Sequence, residues 1–151
     1  MLNMDNSGIH LWLVIWKAYE ALQAHATRSI KDLGMCYSDF AVLECLLHKG
    51  PTPVNTIGEL VSLTSGSITT AVDRLEHRGL VERRNSELDR RTRLVNLTSE
   101  GRTLIKQAFA KHEQDMERVA AASLTSAERH TLLKLVKKFG KGAAAMEDTD
   151  D

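Results

Sequence analysis

Between positions 64 and 97 the sequence gathers the groups a protein uses to hold a polyanion. Ser65, Ser67, Thr69 and Thr70 place four hydroxyls and Gly66 within six residues, and Arg74 follows. Hydroxyls bond phosphate oxygens or base edges, a glycine lets backbone come close, and arginine pairs with guanine or phosphate through its fork of donors. Asp89, Arg90, Arg91 and Arg93 then crowd into a polar stretch, where the mutual repulsion of the arginines gains nothing unless an anion is near. An arginine in a narrow, electronegative minor groove is such a case. This stretch holds seven arginines against five carboxylates, whereas the whole chain is neutral with 20 basic and 20 acidic residues. Attraction to nucleic acid therefore rests on a local patch and not on total charge.

Other chemistries find less support. The six histidines form no tight cluster with the cysteines, and neither an HExxH nor a paired CxxC motif occurs, so no metal site and no cofactor is expected. No nucleophile and base stand at a recognisable spacing, which argues against an enzyme. Two cysteines cannot build a disulfide scaffold of the secreted kind, and free thiols suit a reducing compartment. Cys36 lies just before a helix start, where a thiol pKa can be lowered, and is the candidate redox residue; the alternative is half-buried packing. Cys45 reads as a small buried hydrophobe. The longest apolar stretch, residues 9–16, contains His10 and falls far short of the ~20 residues that span a bilayer. The small residues around His25 mimic a signal-cleavage site without the positive start and apolar core it needs. A cytoplasmic protein without membrane contact is expected.

The elements that must position the arginines can be read from periodicity. The 151 residues suit one domain, and 42% hydrophobic content supports a core. Ile9, Trp12, Trp16, Tyr19, Ile30 and Leu33 recur at helical spacing, giving one amphipathic helix that Gly34 ends. Ser38 reads as the cap of a second helix, stopped at Gly50 and Pro51; Thr52 and Pro53 read as the cap and first residue of a short third. A fourth starts at Thr64 or Ser65, carries Ile68, Ala71, Val72 and Leu75 inward, and stops at Gly79. Residues 80–84 and 93–97 read as two strands of a hairpin with residues 85–92 at its tip. Thr98 caps a long fifth helix, and Thr125 with Glu128 has capping-box spacing for a sixth. Beyond Gly140 a frayed acidic tail is expected.

Two short helices joined by a tight turn, then a hairpin with an arginine-rich tip, is the order of a winged helix-turn-helix. On the helical wheel the outward arc of the fourth helix holds Gly66, Thr70, Asp73 and His77, with Thr69 and Arg74 on its flanks. Three alternatives stand beside DNA binding. The helix can be an ordinary solvated surface, the tip a solvated loop with Asp89 paired to an arginine, and the whole a winged module for protein contacts.

The sequence resembles the MarR family of bacterial transcriptional regulators. The likeness is carried by residues 63–76, Leu-Thr-Ser-Gly-Ser-Ile-Thr-Thr-Ala-Val-Asp-Arg-Leu-Glu, by residues 78–83, Arg-Gly-Leu-Val-Glu-Arg, and by residues 89–98, Asp-Arg-Arg-Thr-Arg-Leu-Val-Asn-Leu-Thr. It implies a mainly α fold with a small β-hairpin wing, in which a winged helix-turn-helix domain (residues 38–98) is flanked by dimerisation helices (residues 1–37 and 99–140), ahead of the tail at 141–151. It further implies a homodimeric regulator, expected to be a repressor, on a pseudo-palindromic double-stranded DNA operator. Asp89 would orient the wing, Arg91 with Arg90 beside it would enter the minor groove, and Ser65, Ser67, Thr69, Thr70 and Arg74 would touch bases or phosphates. A pocket for a small aromatic or phenolic ligand is implied, for which His10, Trp12, Trp16, Met35 and Tyr37 are the candidates; plain packing is the alternative for both tryptophans. Relatives that sense peroxide carry a cysteine near the start of the first helix, where this chain has Leu11 and Trp12.

Overall fold

A computed structural model describes residues 7–147 of the chain. The first helix, α1 (Gly8–Asp32), starts where Ser7 Oγ accepts the His10 N–H at 3.2 Å. It ends at Gly34, whose φ of +74° lets its N–H and that of Met35 return to the Lys31 and Ile30 carbonyls. Only Ser29 and Ile30 of this helix are buried.

Helix α2 (Tyr37–Lys49) begins earlier than the sequence reading places it. Cys36 is the extended N-cap residue and makes no side-chain cap bond, while Ser38 lies inside the first turn. The Ser38 hydroxyl instead accepts from Arg74, so a tertiary partner has taken the group that a cap would use. The Thr52–Pro53 pair also differs from its reading. It forms a strand, β1 (Thr52–Pro53), and α3 (Val54–Leu60) follows it. Two residues are too few to show a strand period, and proline, lacking an N–H, is tolerated on the edge where β1 sits.

Helix α4 (Ser65–His77) is capped by Thr64, whose Oγ1 accepts the Ser67 N–H at 3.2 Å. At its far end Gly79 turns left-handed at φ +71°, with its N–H on the Glu76 carbonyl at 2.9 Å and the Leu80 N–H on the Leu75 carbonyl at 3.0 Å. This Schellman closure takes Leu80 out of the hairpin, so β2 (Val81–Asn85) starts one residue later than expected and pairs with β3 (Arg93–Leu97). The antiparallel sheet has the order β1-β3-β2, with Thr52 and Arg83 on either side of Val95.

Thr98 caps α5 (Ser99–Ser123), its Oγ1 accepting the Gly101 N–H at 3.0 Å and donating to the Gly79 carbonyl at 2.7 Å. Gly101 passes so close to the hairpin entry that an added Cβ would lie 1.9 Å from the Leu80 carbonyl oxygen. The core joins α2, α3, α4, the sheet and the start of α5, with Val42, Leu43, Leu46, Ile57, Ile68, Val72, Leu75, Val95 and Ile105 shut off from solvent.

The chain divides into two compact units, with the break between Glu113 and Gln114 inside α5. The second unit holds the rest of that helix and α6 (Ser126–Glu147), whose capping box is formed: Glu128 Oε2 accepts the Thr125 N–H at 2.7 Å, and Thr125 Oγ1 accepts the Glu128 N–H at 3.3 Å. The fraying expected from residue 141 is replaced by helix to Glu147, because Ala143, Ala144 and Ala145 are the strongest helix formers and outweigh Gly140 and Gly142. The part of that tail at residues 148–151 lies outside the described residues. Leu132, Leu133, Val136 and Phe139 of α6 are exposed, as are Trp12 (55%), Trp16 (47%) and Tyr19 (57%) of α1. No described helix is long and apolar enough to cross a membrane.

Candidate nucleic-acid interface

The outer side of α4 follows from its inner side. Ile68, Ala71, Val72 and Leu75 are buried, so Ser65, Gly66, Ser67, Thr69 and Thr70 are exposed along the first two turns. Thr69 Oγ1 donates to the Ser65 carbonyl at 2.9 Å and Thr70 Oγ1 to the Gly66 carbonyl at 3.0 Å, which leaves their oxygen lone pairs outward as acceptors. The Ser67 hydroxyl receives the Thr64 hydroxyl at 2.9 Å. Ahead of the first helical hydrogen bonds, the N–H groups of Ser65 and Gly66 point out of the helix start, where the dipole favours an anion.

Both flanks of this helix are held by ion pairs. On one, Arg74 Nε donates to Asp39 Oδ1 and Oδ2 at 3.0 and 3.1 Å, and Arg74 NH2 adds Asp39 Oδ1, Ser38 Oγ (3.3 Å) and Cys36 Sγ (3.4 Å). Arg78 NH1 stands 3.6 Å from the other oxygen of the same carboxylate. Asp39 is 2% exposed. Its hydrogen bond pushes the Arg74 guanidinium further toward the charged form than an isolated arginine, against the opposing effect of burial. Two of its three guanidinium nitrogens are engaged within the chain, tying α4 to α2, while the side chain stays 42% exposed.

On the other flank, Arg83 of β2 donates its backbone N–H to Glu76 Oε1 at 3.0 Å, and its guanidinium to Glu76 Oε2 and, at 2.5 Å, to Asp73 Oδ1. Burial of Arg83 works against its charge, but the bonds to Asp73 and Glu76 outweigh it and the guanidinium is held charged. Arg83 thereby offsets the charge of the two carboxylates that α4 carries toward its outer side, which themselves stay exposed. The sequence reading passed over both anchors, although a signal for each was present. Asp39 shares the 3–4 spacing of Val42, Leu43 and Leu46, and Arg83 shares the inward strand face of Val81; a charge on a buried face calls for a partner.

The wing tip, residues 86–92, is closed by the Ser86 N–H on the Thr92 carbonyl at 2.8 Å and by the Thr92 N–H on the Asp89 carbonyl at 3.0 Å. Asp89 organises it from inside, Oδ1 accepting the Arg91 N–H at 2.9 Å and Oδ2 the Thr92 hydroxyl at 3.1 Å. Ser86 Oγ accepts the Leu88 N–H at 3.2 Å. The Asp89 carboxylate is thus occupied by backbone and hydroxyl donors and pairs with no arginine side chain. Arg90, Arg91 and Arg93 are exposed and have no ion pair among the described residues, whereas Arg84 pairs with Glu82 at 2.7 Å. The outcome is a hydrogen-bonded loop that, with the first residue of β3, presents three exposed guanidinium groups.

The five pocket candidates are not brought together within one chain. His10, Trp12 and Trp16 sit in the first turns of α1, while Met35 and Tyr37 follow its far end; the 16 steps along the helix from Trp16 to Asp32 correspond to roughly 24 Å. Met35 is a core residue at 5% exposure. A surface hollow of about 450 Å³ on α1 is lined by Glu20, Gln23, Ala24, Thr27, Arg28 and Lys31, and none of the five reaches it. Cys36 is exposed, with Sγ 3.3 Å from the Ser38 hydroxyl; Cys45 is buried, and burial pushes its thiol up. Among the described residues no three metal-ligating side chains cluster.

Comparison with known proteins gives a consistent picture. A family model described as the MarR family matches residues 37–92. The HTH-type transcriptional regulator MhqR of Bacillus subtilis is 33% identical over 140 residues, covering 93% of this chain and 96% of that protein. The multiple antibiotic resistance protein MarR of Salmonella typhimurium is 34% identical over 138 residues, 91% of this chain and 95% of its own. Among solved structures, a mutant MarR from E. coli complexed with operator DNA superposes with a TM-score of 0.74 at 26% identity, over 85% of this chain and 92% of that one.

Proposed function

This chain belongs to the MarR family of transcriptional regulators, DNA-binding proteins and not enzymes, and from that premise we propose that it acts as a homodimeric repressor on a pseudo-palindromic operator. The observation that carries the reading is the wing: Arg90 and Arg91 on a loop that Asp89 holds, and Arg93 at the start of β3, stand exposed and without an ion pair among the described residues. Such a loop lowers its repulsion only when phosphate oxygens or the minor groove supply the counter-charge. Ser65, Ser67, Thr69 and Thr70 face the major groove beside it, and the N–H groups at the start of α4 take a phosphate. Arg74 supports them from behind.

Exposed apolar stripes support the pairing of two copies. Trp12, Trp16 and Tyr19 of α1 and Leu132, Val136 and Phe139 of α6 each leave an apolar stripe in water, of the kind a two-fold partner covers. A two-fold pair then offers its α4 helices to half-sites about 34 Å apart. Release follows when a small aromatic ligand changes that spacing. His10, Trp12 and Trp16 of one copy would meet Tyr37 of the other, since the length of α1 separates them within a chain and Met35 is buried in the core. An operator on the chromosome places this work in the cytoplasm.

Selection of genomic fragments by the purified protein, followed by footprinting, tests the reading: protection over two successive turns supports it, and no preference for any duplex at low salt refutes it. A second reading, release through modification of Cys36, is favoured by its exposed Sγ lying 3.4 Å from Arg74 of α4. Intact-mass measurement after mild peroxide treatment, with DNA affinity measured on the same sample, tests it; an unmodified thiol and unchanged affinity remove it.

A further inference from the structure

The apolar contact that seats α4 does not by itself determine which way the helix faces. Ile68, Ala71, Val72 and Leu75 are held by the non-directional hydrophobic effect, and the alanine leaves part of that stripe without a knob to resist rolling. A roll of about 20° moves a side-chain tip at ~5 Å radius by about 2 Å, enough to break a hydrogen bond to a base edge. Directional restraint has to come from elsewhere, and two sources are visible on opposite flanks. Asp39 grips Arg74 and Arg78, one turn apart, and Arg83 grips Asp73 and Glu76. The fork of Arg74 on a nearly fully buried carboxylate is the more constraining, because Asp39 belongs to the packed first turn of α2 and has no room to follow a moving partner.

We propose that Asp39 is the positioning residue of DNA reading: it fixes the roll of α4 through Arg74 and Arg78, and so aims Ser67, Thr69 and Thr70 at the bases without touching DNA itself. The inference rests on the DNA-reading role proposed for α4. It explains why a carboxylate stands buried at the start of α2, and why an arginine in the last turn of the reading helix, though still 42% exposed, reaches back to it.

The test uses the full-length protein, the duplex that it selects from genomic fragments, and a scrambled duplex of the same composition. Affinities for both are measured at several salt concentrations, well below the melting temperature. Asp39→Asn is expected to lower the ratio of selected to scrambled affinity about tenfold, while scrambled-duplex affinity and its salt slope stay as in wild type, because the wing is untouched. A purely structural defect lowers both affinities together and leaves the ratio alone. Arg74→Lys keeps the charge but loses the fork, so it is expected to lower the ratio less, and the double variant to be no worse than Asp39→Asn. If Asp39→Asn does not fold, Arg74→Lys decides by the same ratio. An unchanged ratio in the folded variant overturns the proposal, as does a full additional loss from Arg74→Lys on the Asp39→Asn background, which would mean that Arg74 acts on DNA directly. Wild type showing no duplex preference at all overturns the DNA-reading role itself, a result distinguishable from the others before any variant is made.

Discussion

Asp89 accepts the backbone N–H of Arg91 at 2.9 Å, and not its guanidinium. The Asp89 carboxylate therefore shapes the loop by its hydrogen bonds. Replacing Asp89 by alanine makes the wing more positive, so simple electrostatics calls for tighter DNA binding. Weaker binding is expected, because the loop loses the bonds that present Arg90 and Arg91. Fluorescence anisotropy at fixed salt decides between the two signs.

Arg91→Ala removes one exposed, unpaired guanidinium from that loop. The slope of log affinity against log salt is expected to flatten by about one unit, with weaker binding to every duplex. Titrations that superimpose on wild type at several salt concentrations would exclude Arg91 from the interface.

Arg83→Ala leaves Asp73 and Glu76 without their ion pair on the helix proposed to read DNA. Affinity is expected to drop by about tenfold at low salt from like-charge repulsion, and adding Asp73→Asn to restore part of it. Failure of the second substitution to restore binding would mean that Arg83 acts by holding the hairpin in place alone.

Gly101→Ala places a Cβ 1.9 Å from a backbone oxygen of Leu80 in a part of the fold that cannot yield cheaply. A loss of about 2 kcal/mol or more is expected in denaturant melts. The Gly140→Ala substitution, with open space at the Cβ position, is the control and is expected to stabilise α6 slightly.

Glu128 is held below the ordinary carboxylate value of 4.5 by the Thr125 N–H and hydroxyl. Its contribution to the start of α6 is fully present above that value and is lost as pH falls through the lower folded-state value. Helix content followed by circular dichroism between neutral and strongly acidic pH is expected to show this loss in wild type, and a flatter profile in Glu128→Gln. Thr125→Ala is expected to cost about 1 kcal/mol at neutral pH.

What could be read from the residues alone followed the range of the interactions. The caps at Thr64, Thr98 and Thr125, the Gly79 closure and the hairpin arise from neighbours a few positions apart, and each announces itself by residue type and spacing. β1 escaped because its pairing with β3 joins positions more than forty apart, and the local Thr52–Pro53 signal is the same as that of a helix start. The tie of Arg74 is hidden for the same reason: its chemistry fits a guanine or a phosphate, and only the fold reveals a carboxylate 35 residues away. The wing arginines are legible because, among the described residues, no carboxylate pairs with them.

A hydroxyl-radical footprint of the wild-type protein on its selected duplex, with the stoichiometry of the same complex from sedimentation, probes the central claim most directly. Two copies per duplex are expected, with protection in two successive major grooves and in the minor grooves flanking them. A single copy on the DNA, or a featureless footprint in dilute buffer, would contradict it.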